Sequence, residues 1–239
     1  MNPSARFRVP SAMRTRLLTA STLCLTLASV RPSGAQTTTI DEGSFTVTRA
    51  GRTGREDFRI VRVTSPTTTL VGTGTSVSGT SRVVAVLRTD TTGAPLDFQL
   101  DGRESNELRE RITIQATRDR LTARSQSPRG ESAREYFLHP GMAILDDEFA
   151  HQYFFLTLQG RDAVATVLPR RNELTQLHVL SKGDDAIEIA GMRVTAHHYV
   201  VSDAMSERQL WTDSAGRVLR VEVPALALTA VRDAMPTDR

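Results

Sequence analysis

The side chains of this sequence best able to exchange protons or hold a metal are five histidines, His139, His151, His178, His197 and His198. Asp147 and His151 stand four residues apart in a stretch with helical spacing, which would put carboxylate and imidazole on one helix face. A metal at that pair would need at least one further ligand from elsewhere, and no HExxH accompanies it. His197 and His198 are neighbours on a strand and so point to opposite faces. On the alternation Met192, Val194, Ala196, His198, Val200, it is His198 that turns to the apolar side, as a core histidine would. A hydrolase using Asp147, His151 or His198 would work without a serine in a GxSxG elbow. No glycine-rich loop precedes a helix to cradle phosphate either. No catalytic residue, metal or cofactor is assigned on these grounds.

Two segments share a template, Asp90-Thr-Thr-Gly93 and Asp213-Ser-Ala-Gly216. Aspartic proteases bring paired carboxylates to one water from two Asp-Thr/Ser-Gly loops, but here an extra residue separates hydroxyl from glycine and would mis-aim the carboxylate. The template instead fits a hairpin loop, with Asp capping the turn and Gly at a positive φ.

The elements that must position these groups begin after an N-terminal address. Arg6, Arg8, Arg14 and Arg16 precede an apolar run over residues 17–30, and Ser33, Gly34 and Ala35 supply small side chains for a peptidase. This is the order of a secretory signal, with cleavage expected between Ala35 and Gln36. The run has 14 positions and contains Thr and Ser, whereas a bilayer span needs roughly 18 or more apolar residues. No transmembrane anchor is expected after cleavage, and export places the mature chain in the periplasm or outside the cell. Cys24 would leave with the signal. It follows Leu23, where the lipid-anchor motif it resembles has a small residue, so the mature chain is expected to carry neither a lipid anchor nor a thiol.

The formal net charge of +3 belongs to the precursor. Five of the 30 basic residues precede the cut and all 27 acidic ones follow it, leaving 25 against 27, or −2, in the mature chain. A polyanion-binding role loses its support, and aromatics are not interleaved with arginine as nucleic-acid stacking would need; no nucleic-acid partner is expected.

The mature 36–239 segment reads as a single β-rich domain. Leu96, Phe98 and Leu100 alternate with Asp97, Gln99 and Asp101, and Leu219, Val221 and Val223 with Arg220 and Glu222. Further strands are expected over 44–49, 57–64, 82–89, 108–117, 131–138, 163–168, 173–181, 186–189, 192–202 and 208–212. Their spacing leaves little room for crossover helices, so the fold class is mainly β: a curved antiparallel meander or unclosed barrel with one covering helix. That helix is expected over about 145–159, where Leu145, Phe149, Gln152 or Tyr153, and Leu156 recur at helical spacing. Asp146, Asp147 and Glu148 would then face the positive end of its dipole, and Gly160 would end it. The small, polar 72–81 segment suits an exposed edge strand, and 234–239 a frayed tail.

The order of signal, meander, one aromatic-rich helix and a final hairpin from Trp211 to Val223 resembles uncharacterised exported bacterial families with unclosed-barrel sheets. In shape it is similar to the periplasmic carrier and receptor proteins of the lipoprotein-localisation system, which hold acyl chains between a curved sheet and its covering helix. The resemblance implies a non-enzymatic binding or carrier protein for an apolar ligand such as a lipid or acyl chain, with a lipid or lipoprotein as partner. Phe149, Tyr153, Phe154, Phe155 and Trp211 are the candidate ligand-binding residues, although the same rings would serve as plain core. An alternative is a structural or assembly component of the cell envelope that acts through the edge strand over 72–81.

Overall fold

Alternating side chains along β1 (Gln36–Arg49), β2 (Arg52–Thr64), β3 (Thr68–Ser78) and β4 (Ser81–Asp90) bury every second position, so one face of each strand seeks a cover. The pattern continues through β5 (Pro95–Glu104), β6 (Glu107–Thr117) and β7 (Arg120–Ser127) and lapses in β8 (Gly130–Phe137), where only Tyr136 is buried. These eight strands pair with their sequence neighbours as one antiparallel meander. A computed structural model describes residues 35–237, which fall in one unit. The signal segment lies outside the described residues, apart from its last position.

A second meander follows the short β9 (Ala143–Ile144). It comprises β10 (Ala163–Leu168), β11 (Glu173–Ile189), β12 (Met192–Ser202), β13 (Glu207–Thr212), β14 (Val218–Val223) and β15 (Leu228–Arg232). β15 pairs with β1, which fuses the two meanders into one 15-stranded sheet running from β8 at one edge to β9 at the other. Among the described residues only the β9–β10 pairing is parallel. The sheet is not closed into a barrel. Side chains bridge its two edge regions instead: the Arg134 guanidinium of β8 donates to the Asn172 carbonyl at 2.6 Å, and the Tyr136 hydroxyl to Asn172 Oδ1 at 2.9 Å.

The expected strands at 173–181 and 186–189 are one strand, β11, whose pairing shifts by one residue between Ser181 and Gly183, where Gly183 takes φ +88°. The two Asp-x-x-Gly templates form the same turn. Asp90 Oδ1 accepts from the Thr92 and Ala94 amides, Asp213 Oδ1 from the Ala215 and Arg217 amides, and Gly93 and Gly216 lie at φ +87° and +77°.

Two expectations are corrected. The 72–81 segment is not an edge: β3 is bonded to β2 on one side and to β4 on the other along its length. The helix is also shorter than 145–159. A 3₁₀ turn, Ala150–Gln152, leads into a single α-helix, α1 (Tyr153–Leu158), while Leu145 to Phe149 is non-helical. Leu145 continues from β9, its amide bonded to the Val167 carbonyl, which removes it from the helical series.

Candidate functional site

The sheet curves around α1, and the four ring-bearing residues expected to line a pocket are brought together there. Phe149, Tyr153, Phe154 and Phe155 are all buried in the main core with Leu70, Leu87, Phe98 and Ile114. Phe154 and Phe155 meet edge to face at 5.5 Å. These rings fill the interior at this level. Trp211 is not with them. Its side chain is on the other face of β13, in a separate cluster with Ile187, Ile189, Ala196 and Leu219, covered in part by Met235. The tail is therefore held as far as residue 237, where the Thr237 carbonyl accepts from Arg217, rather than frayed from 234.

β3 explains how the 3₁₀ turn fits so close to the sheet. Its inward positions read Leu70, Gly72, Gly74, Ser76, Ser78. A Cβ at Gly72 would fall 2.6 Å from Phe155 Cε2, and one at Gly74 would overlap the His151 ring and lie 2.9 Å from Phe149 Cδ1. The glycines are a recess for imidazole and phenyl, a role that the small polar composition of 72–81 conceals. His151 is fully buried, stacked on Phe58 at 5.8 Å, with Nδ1 2.7 Å from Glu56 Oε1. Glu56, equally buried, also accepts from the Ala150 and His151 amides at 2.8 and 3.1 Å. This carboxylate replaces a side-chain cap for a turn that has none.

The acidic run does not face the start of α1 as the sequence suggested; the first turn holds no acidic residue. Each of the three binds arginine. Asp147 takes the Arg208 guanidinium as a fork, at 2.6 and 2.7 Å, and accepts from the Tyr153 hydroxyl at 3.1 Å. Asp146 accepts from Arg170 at 2.9 Å, and Glu148 pairs with Arg49 at 2.7 Å. Burial opposes the charge of Arg208, but the bonds and field of Asp147, with Tyr153 and Asp203, more than compensate and raise its pKa. Burial, then the Asp147 charge, pushes the Tyr153 phenol well above its ordinary range. Burial also works against the Asp203 carboxylate. The Met205 amide, the Arg208 charge and the Ser206 amide prevail and hold it below the usual range.

The three groups named for hydrolysis do not converge. Asp147 is engaged by arginine, His151 is sealed by Glu56 and the glycine recess, and His198 is in the second cluster, on the opposite face from α1. There it stacks on Trp211 at 4.6 Å and meets Gln209 Oε1 at 2.7 Å. Among the described residues no group of three or more His, Cys, Asp or Glu side chains is arranged to hold a metal, and no helix is long and apolar enough to cross a membrane.

The open space is at the end of the sheet opposite the Asp90–Gly93 turn. α1 ends at that turn, with Gln159 Nε2 donating to the Gly93 carbonyl, and begins short of the other end. Beyond the 3₁₀ turn the inward side chains shrink to Gly54, Ser76, Ser78 and Ser81, and a cleft of about 940 Å³ results. Val47, Val83 and Leu228 give it apolar surface; Arg49, Arg52, Glu104 and Glu148 give it charge. Sequence reasoning missed this site because its signal is the loss of bulk at inward positions, not a motif.

No family model and no curated protein matches this sequence. Among solved structures it is similar to a β-barrel-like protein of a domain of unknown function, DUF1849, from Brucella abortus. The TM-score is 0.51 at 9% identity, covering 83% of this chain and 97% of that one. The likeness is one of fold. The unclosed, mostly antiparallel sheet with one short helix stands as the architecture of this protein.

Proposed function

We propose that the protein is an exported, non-enzymatic binding or carrier protein that holds an apolar or amphiphilic ligand, such as a lipid with its acyl chain, in the cleft at the open end of its sheet. The observation that carries the reading is the cleft itself, about 940 Å³ walled by β1 to β5 and the start of β15 and lined by valine and leucine beside serine and arginine. The space between sheet and helix, where the resemblance would seat an acyl chain, is occupied by Phe149, Tyr153, Phe154 and Phe155. A chain would reach it only by displacing α1. Export rests on the charged and apolar order of residues 1–35.

The test is native mass spectrometry of the mature chain purified from its own envelope, followed by organic extraction and lipid analysis. A stoichiometric lipid that is lost in Ser76→Trp, which fills the cleft, and kept in Phe155→Leu supports the reading. A lipid lost in Phe155→Leu and kept in Ser76→Trp moves the site under the helix, and a bare protein overturns the carrier role.

A second reading, assembly through an edge strand, is favoured by β8. Six of its first seven residues are exposed, and its outer edge makes no backbone hydrogen bond to another strand among the described residues. A monomer by light scattering that captures no envelope protein by cross-linking at residue 133 would remove it.

A further inference from the structure

The cleft holds two charges of opposite sign that no partner neutralises, and we propose that its ligand is zwitterionic, presenting an anionic group to Arg52 and a cationic group to Glu104. The inference rests on the reading of this cleft as the binding site and names the class of head group it takes.

Four ionisable side chains line the cleft. Arg49 and Glu148 neutralise each other at 2.7 Å. The Arg52 side chain makes no hydrogen bond or ion pair among the described residues. Glu104 accepts a hydrogen bond from the Thr80 hydroxyl and meets no cation. The two are held apart by the fold. Arg52 opens β2 and Glu104 closes β5, with the β3–β4 hairpin between them. Thr53, Ser76, Ser78 and Ser81 place neutral donors and acceptors along that interval, and Val47, Val83 and Leu228 offer apolar surface for a chain.

The charges select by sign. A purely anionic head is attracted to Arg52 and repelled by Glu104, and a purely cationic head meets the reverse; an uncharged head satisfies neither. A head with both charges complements both walls, and partly exposed ion pairs of this kind select modestly for the matching sign.

The experiment is titration calorimetry below the critical micelle concentration with four probes of equal chain length: dodecylphosphocholine, dodecyl phosphate, dodecyltrimethylammonium and dodecyl maltoside. The expected result is tightest binding of the phosphocholine, by roughly three- to tenfold over the others. Arg52→Gln is expected to shift the relative affinity of the two singly charged probes towards the cation, and Glu104→Gln towards the anion. Binding that ignores the head group, or an order unchanged by both variants, overturns the zwitterion assignment and leaves the cleft as the binding site. If none of the four probes binds, the binding-protein reading itself falls, and this inference with it.

Discussion

Gly74 stands where the His151 imidazole lies: a Cβ there would be 2.9 Å from Nδ1 and closer still to Cε1. The buried turn can approach the sheet only because β3 carries no side chain at this position.

Gly74→Ala is therefore expected to destabilise the fold by about 1–3 kcal/mol, the range for an overpacked core, read from urea unfolding. In a His151→Ala background the closest clash is gone and only that with Phe149 Cδ1 at 2.9 Å remains, so the penalty should shrink. An equal penalty in both backgrounds would show that imidazole and glycine are not coupled.

Arg208→Met leaves the Asp147 carboxylate with Arg171 at 3.3 Å as its remaining cation, and removes the fork that neutralised it. A loss of about 3–5 kcal/mol is expected, as for any buried pair broken on one side. Asp147→Asn combined with Arg208→Met should recover part of it, because neither remaining group is charged.

Asp203 sets an acid limb of stability. Its folded carboxyl titrates below its unfolded value, so its contribution is fully present above the unfolded pKa and is lost as pH falls through the lowered folded one. The melting temperature of the wild type should drop below about pH 4 more steeply than that of Asp203→Asn, and the two curves should converge in strong acid. Parallel curves would assign the acid limb to other carboxylates.

The single tryptophan, Trp211, reports on the second cluster and not on the helix. Truncation after Asp233 removes Met235 from that cluster and should shift Trp211 emission to the red while the helix-side core keeps its cooperative transition. Phe154→Ala should do the opposite, costing about 3–5 kcal/mol with native-state emission unchanged.

Strands whose inward residues are large were legible in the sequence, as the matching bounds of β10 and β12 illustrate. β7 was not, because Leu121 is its sole large inward residue before Ala123 and Ser125. The helix was over-extended because Leu145 and Phe149 fall at helical spacing with Tyr153 yet are buried by a strand and a turn. The arginines that claim Asp146, Asp147 and Glu148 are 24, 61 and 99 positions away, beyond the reach of any local rule. The cleft was illegible for the same reason: its charges come from three separate stretches of chain, around Arg49 and Arg52, at Glu104 and at Glu148.

The pairing of β1 with β15 gives synthesis and folding an order. The earliest strand of the described chain finds one of its two neighbours only when nearly the last residues have been delivered, with Phe45 opposite Arg232. Until then the first meander presents an unsatisfied margin, a window in which holding factors have something to grip and in which premature folding cannot finish.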